Sequence, residues 1–542
     1  MSASRSERVP EDTPDSVRAR VAEGPREPEP DPTLRTVVRP RHKGAPPHRL
    51  VTIGDSLTHG MQSGAVFNTD LSYPAIIAYE LGWLDRFRFP RYGGPGGLPL
   101  NLELLLRRIE KDFGPDPKVW DTPLALFAAR SFMDEVEDYW ERGPGRTVPA
   151  LSTYVHDLAV YGWDLRDALS KTAATCADAI AAPNDNLIDQ QVQNGSERAA
   201  LRVYPGWSHA QRQMTLFQAA AALGEDHDDS TECGIETLVV FLGANNALRS
   251  VTDLRVVWSG NGYRDLKAKN AYTVWTPEHF AAEFAEVVAA VKAVKARHVI
   301  WCTVPHVTIA PIARGIGDKV EPGSRYFPYY VRPWVSESEF SPEEDAHITG
   351  GQARVVDAAI DLYNDTIART VLRARKGTDG RKRDWYLLDT ACLLDRLASR
   401  RYIADRHMRL DPELRPTWWS EYRLPGPLLA LDPVPNSRFL TGDGKGGRAT
   451  GGLFSLDGVH PTTIGYGIIA QEIIDVMRLA GVEFRHVTGA VRADPVAVDF
   501  ARLILRDTLV RHPPQNITST LEILGWLDRT MDWVKRTLSV KV

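Results

Sequence analysis

Five short apolar runs recur along the chain, at residues 50–53, 154–160, 238–242, 298–304 and 385–389, most of them closed by a glycine, a proline or a polar residue. Runs of this length, rich in β-branched and aromatic residues, predict strands rather than helices. The uninterrupted apolar character of L-V-V-F-L at 238–242 is that of a parallel strand buried on both faces. Between the runs lie stretches with helical spacing, at 73–83, 101–111, 208–223, 277–296, 353–376 and about 463–479, and a further helix starts at 164–169. This alternation predicts an α/β fold with a mainly parallel, doubly wound sheet, helices on both sides and right-handed crossovers. Two extra helices are expected near the C-terminus, at 495–510 and 520–538. In the second, Leu524, Leu527, Met531, Val534 and Leu538 share a face suited to core packing.

Some segments break this rhythm. Residues 1–46 are rich in Pro, Glu, Asp and Arg, as in P-R-E-P-E-P-D-P, and carry few large apolar groups; a solvated, disordered tail is the expectation. The insertions at 83–149 and 310–351, and the tryptophan-bearing tract 415–422, are expected to shape the pocket. The acidic run E-D-H-D-D at 225–229 is read as a solvated loop.

Composition narrows the function classes. Apolar residues make up 43% of the 542 and charged ones 25%, as in an ordinary soluble globular protein. A net charge of −5 offers no basic field for nucleic acid. Cys176, Cys233, Cys302 and Cys392 are far apart and contain no C-x-x-C pair, so neither a thiolate zinc site nor a disulfide scaffold is expected. The N-terminus M-S-A-S-R-S-E-R lacks the apolar core of a signal peptide, and no window of about 18 apolar residues occurs. A cytoplasmic protein without stable membrane insertion is expected.

The chemistry gathers at the strand ends. G-D-S-L at 54–57, the glycine Gly162, G-A-N-N at 243–246 and D-G-V-H at 457–460 each stand at a junction that a doubly wound sheet opens on one edge. Each residue taken alone has a plain structural use as a cap or turn. Together they supply the parts of acyl transfer. Ser56 can be the nucleophile. His460 can be its base, since an imidazole exchanges protons near neutral pH. Asp457 can hold the imidazole tautomer and stabilise its protonated form. The Ser56 and Gly162 backbone N–H groups and the Asn245 side chain are candidate oxyanion donors, one such donor being worth roughly 3–4 kcal/mol of barrier.

These four stretches resemble, block by block and in order, the GDSL or SGNH hydrolase family. G-D-S-L matches the nucleophile block, D-L-A-V-Y-G-W at 157–163 the glycine block, G-A-N-N the G-x-N-D block, and D-G-V-H-P-T the block with the acid and base. The resemblance spans roughly residues 48–480. It departs at Asn246, where the family has aspartate, and in the wide spacing between blocks; Gly94 is the alternative to Gly162. It implies a flavodoxin-like three-layer α/β/α fold, no cofactor or metal, and hydrolysis of carboxylic esters, thioesters or acyl amides through an acyl-enzyme on Ser56. The expected organisation is a tail at 1–46, a hydrolase domain with insertions at 47–484 and a helical extension at 485–542. The expected partner is a small-molecule or lipid ester. An acyltransferase using the same triad, or a non-catalytic binding module on the same fold, are the alternatives.

Overall fold

The computed structural model of the chain describes residues 7–39, 42–117, 122–149, 151, 153–183, 192–204, 208–320, 324–398 and 416–519. All five apolar runs form strands: β1 (His48–Gly54), β2 (Asp157–Ala159), β3 (Ile235–Phe241), β4 (Ala296–Cys302) and β5 (Trp385–Leu388). They make one sheet in the order β2-β1-β3-β4-β5, every neighbouring pair parallel. The chain therefore winds outward from β1 in both directions, and the switch point lies between β1 and β3. Gly54 is level with Ala159 on one side and Phe241 on the other, so β1, β2 and β3 finish together at the C-terminal edge. Crevices at such an edge are where open α/β sheets carry ligands.

The helices that position the site are α1 (Asp15–Glu23), α2 (Ser56–His59), α3 (Tyr73–Glu80), α4 (Leu165–Ser170), α5 (Leu216–Gly224), α6 (Pro277–Lys292), α7 (Gly350–Lys376) and α8 (Thr463–Leu479). Side chains alternate across the sheet, as the strand pleat requires. Val51, Leu238, Val240, Val299, Trp301 and Leu387 join a core with Phe217, Phe280 and Val356 of α5, α6 and α7. Leu50, Val239, Phe241, Ile300, Cys302 and Leu388 join a second core with Ile76 of α3 and Ile469 and Ile473 of α8. The result is a mixed α/β fold with helices covering both faces of a five-stranded all-parallel sheet.

The N-terminal segment departs from expectation. Residues 7–39 are not a free tail. α1 lies against α7, Val17 is fully buried, and Val9, Val21 and Leu34 pack on the same core. The charges that suggested solvation are used in ion pairs: Arg26 Nη1 lies 2.8 Å from Asp389 Oδ2, and Arg20 Nε 3.7 Å from Asp361 Oδ2. The Pro32 carbonyl accepts the Leu387 N–H at 2.8 Å, so this strap satisfies part of the open edge of β5. A composition rule counts charges, not their partners, and that is why it fails here.

The insertions hold the helix expected at 101–111 and further elements beyond it. Residues 83–149 contain helices Leu102–Phe113 and Thr122–Glu141, and 310–351 contain a three-stranded antiparallel sheet, Arg314–Ile316, Tyr329–Val331 and Ile348–Thr349. The expected helix at 208–223 is two, His209–Arg212 and α5, because Thr215 starts a fresh capping box with Gln218. The helix expected at 495–510 is likewise split into Phe500–Arg506 and Thr508–Arg511 around Asp507, whose carboxylate caps the second piece. Phe500 and Leu503 pack on α8, so this part of the C-terminal extension belongs to the second core. The expected helix at 520–538 lies outside the described residues. The four cysteines are free. Among the described residues no helix is long and apolar enough to cross a membrane.

Candidate functional site at the carboxyl edge of the sheet

The turn that carries Ser56 is forced by its own residues. A Cβ on Gly54 would collide with the Thr58 side chain, so β1 can fold back at once into α2 only because residue 54 is glycine. Asp55 caps α2, its Oδ1 accepting the Leu57 N–H at 3.2 Å. Ser56 is the first residue of α2 and is nearly buried. His59, at the other end of α2, accepts the Tyr161 N–H on Nδ1 at 3.2 Å, which leaves Nε2 as the donor to the Tyr92 hydroxyl at 2.6 Å. Burial drives its pKa down to about 3, so it stays neutral and ties α2 to the turn after β2.

His460 comes from a loop stitched to the chain just past α2. Asp457 Oδ2 accepts His460 Nδ1–H at 2.9 Å and the Gly64 N–H at 2.8 Å, and its Oδ1 accepts the Val459 and His460 N–H groups, each at 2.8 Å. Ser63 N–H donates to Ser455 Oγ at 2.8 Å and holds the other side of the same loop. Burial alone would raise the Asp457 pKa, but the imidazole and these donors outweigh it and hold the carboxyl below its usual value. With Nδ1 committed to Asp457, the His460 lone pair is on Nε2. That atom is buried and has no hydrogen-bond partner.

Ser56 and His460 line one cavity of about 70 Å³, walled by Leu57, Leu248, Ile309, Leu394, Leu397 and Phe454 among others. The structure thus brings Ser56, His460 and Asp457 together, although no hydrogen bond joins Ser56 to His460 Nε2 here. Catalytic contacts are often long in the absence of substrate.

The other predicted residues sit next door. Gly162, at φ +75°, and Asn245 line a small polar pocket that shares the Leu248 wall with the first. Asn245 Nδ2 donates to the Trp163 carbonyl at 2.9 Å, and Asn246 Oδ1 accepts the Leu165 N–H at the start of α4. Asn246, where the resembled family has aspartate, is therefore a fully buried tether between the ends of β3 and β2. Gly94 packs against the Tyr139 ring and lines neither pocket.

Two buried titratable residues beside the site escaped the sequence. Asp55 reads in the sequence only as the neighbour of Ser56. It is fully buried, its Oδ2 has no partner, and burial pushes its pKa up to about 7 against the pull of the Leu57 N–H and His460. A carboxylate caught between a strand-end glycine and the serine was the available signal. His306 lines the serine cavity and lies between two aspartates, Nδ1 2.8 Å from Asp395 Oδ2 and Nε2 3.0 Å from Asp361 Oδ1. Only its place just past a buried strand hinted at it.

Comparison with known proteins finds no family profile and no curated relative that matches the chain. Among the described residues, no cluster with metal-ligating geometry coincides with the serine cavity.

Proposed function

We propose that the protein is a serine hydrolase of the GDSL or SGNH type, cleaving carboxylic esters through an acyl-enzyme on Ser56. One observation carries the reading: Ser56 opens onto the same apolar cavity as an imidazole whose Nδ1 is held by a buried aspartate and whose Nε2 has no partner. The strand order 2-1-3-4-5, which is that of flavodoxin-like folds, supports it independently, because β1 and β3 flank the switch point and carry the G-D-S-L and G-A-N-N turns.

The chemistry follows from the residues. Ser56 Oγ attacks the ester carbonyl while His460 Nε2 takes the hydroxyl proton. The imidazolium is stabilised by Asp457, which is already ionised. Collapse of the tetrahedral intermediate breaks the bond to the alcohol, which leaves with the proton from His460. Water then attacks the acyl-enzyme by the same route in reverse, releasing the acid and restoring Ser56. The developing oxyanion needs fixed donors. The Ser56 and Gly162 backbone N–H groups are two. Asn245 is the third, since its amide keeps a second N–H beyond the one given to Trp163. The apolar walls exclude water and favour an apolar acyl group.

A fluorophosphonate probe should label the wild type and fail to label Ser56→Ala. The same variant should lose hydrolysis of a short p-nitrophenyl ester with its far-UV circular dichroism unchanged. Full activity in Ser56→Ala would overturn the reading. Acyl transfer to an added alcohol in preference to water would reassign the same triad to an acyltransferase.

A further inference from the structure

At the opposite end of the sheet from the serine cavity, three residues from separate parts of the chain converge. His42 lies in the segment that leads into β1, His298 near the start of β4, and Asp384 just before β5. One ligating atom from each lies within 4.8 Å of the others, and among the described residues this is the group that meets that condition. The two imidazoles meet edge to face, 5.1 Å between ring centres at 83°.

Each histidine is held by a carboxylate. His298 Nδ1 lies 2.7 Å from Asp384 Oδ2, and His42 Nδ1 lies 3.0 Å from Glu232 Oε1. Of these two carboxylates only Glu232 lies outside the trio, and support of its kind fixes ring orientation and tautomer in metal-binding histidines, whereas the Asp384 contact is internal to the trio. Asp384 is steadied in turn by the Tyr386 hydroxyl at 3.0 Å and by Arg375 Nη1 at 3.3 Å. Arg297 lies 3.1 Å from Glu232, so each of the two carboxylates at the cluster also has an arginine beside it. Packing does not account for the arrangement. His298 is buried with its Nδ1 met by Asp384, yet His42 is brought against it as well.

We propose that His42, His298 and Asp384 form a binding site for a divalent zinc-like cation that fastens the chain entering β1 to β4 and to the start of β5. Two imidazoles and one carboxylate suit Zn²⁺ or a neighbouring first-row ion, whereas Mg²⁺ and Ca²⁺ prefer all-oxygen shells. Bond lengths near 2.0–2.2 Å put ligand atoms on a tetrahedral zinc about 3.3 Å apart. Closing the set from its present spread takes a movement of roughly an ångström, for which exposed His42 on its loop is the natural mover. The fourth position is left to water. The site is far from Ser56 in the topology, so its role is structural and it stands or falls apart from the proposed hydrolase activity.

The test uses the full chain, made without a polyhistidine tag and stripped with EDTA, titrated with ZnCl₂ by calorimetry and followed by thermal unfolding. One equivalent should bind in the micromolar range and raise the melting temperature by several degrees, while MgCl₂ should not. His42→Ala should leave the melting temperature of the metal-free protein unchanged and weaken zinc binding about tenfold or more. His298→Gln should weaken binding as well. Absence of binding to the wild type up to about 1 mM ZnCl₂ would overturn the proposal, as would His42→Ala binding zinc with wild-type stoichiometry and affinity.

Discussion

Two buried histidines line the serine cavity, and they are prepared for opposite work. His460 and His306 are both nearly inaccessible, and both set Nδ1 against an aspartate, at 2.9 Å and 2.8 Å. The difference is at the other nitrogen. His460 Nε2 has no partner, whereas His306 Nε2 is bound to Asp361 at 3.0 Å. Burial alone would lower the His306 pKa, but Asp395, Asp357 and Asp361 outweigh it and raise it to about 9. His306 is therefore a fixed cation in a polar network that includes Arg325 and Tyr326, and it has no lone pair to offer near neutral pH. The number of acceptors around an imidazole, not its burial or its place on a wall, separates a base from a structural charge.

The largest expected effect falls on the histidine with the vacant nitrogen. In the proposed reaction His460→Ala removes the base, and kcat toward a p-nitrophenyl ester should fall by about 10⁴-fold or more. His306 should not rescue it, since both its nitrogens are engaged. Activity within about tenfold of wild type in His460→Ala would break the comparison, because some other group would then be taking the serine proton.

How much of this contrast was readable beforehand differs between the two. The five strands were legible because strands buried on both faces write themselves as continuous apolar runs, as at Leu238–Val240. The carboxyl-edge residues Ser56, Asp457 and His460 were legible because a strand-end turn and a D-x-x-H loop put their chemistry into a few consecutive positions. The His306 network was not, since Asp361, Asp395 and Arg325 come from distant elements that meet only in the fold. The same holds for the N-terminal strap: Arg26 reads as a solvating charge until Asp389, more than 360 positions away, is placed beside it. Helix Thr122–Glu141 lies inside an insertion and is not among the expected elements, although its apolar residues Ala125, Ala129, Phe132, Val136 and Trp140 repeat at helical spacing and are all buried.

The next effect is on stability. His306→Gln should cost about 3–5 kcal/mol, the scale for breaking a buried ion pair by removing one partner. Its pH dependence is the sharper measurement. The folded pKa of about 9 lies above the unfolded value near 6.5, so the stabilisation from His306 is complete below pH about 6.5 and disappears as pH rises through about 9. Urea unfolding of wild type and variant at pH 6, 8 and 10 should show the gap narrowing steadily. A gap that widens with pH would mean that His306 is held neutral, and the contrast with His460 would lose its physical basis.

The smallest effect probes the group that lies between the two cases. Asp55 is a carboxyl with one oxygen engaged by the Leu57 N–H and one without a partner, close enough to His460 for the imidazole to influence its titration. Its folded pKa of about 7 lies above the model-peptide value of 3.8, which is the reverse of the usual paired aspartate. Native Asp55 thus holds its proton more tightly than the unfolded chain does. The resulting stabilisation is present below pH about 4 and is lost as pH rises through about 7. Asp55→Asn keeps the acceptor that caps α2 and removes the titration. Relative to wild type, the variant should gain about 2 kcal/mol in unfolding free energy between pH 4.5 and pH 8, an amount set below the full shift to allow for relaxation of the buried site. Its kcat should change by less than about tenfold, since the proposed base and nucleophile are untouched. A variant that tracks wild-type stability across that range would show Asp55 ionised throughout, and His460 would then face two carboxylates rather than one.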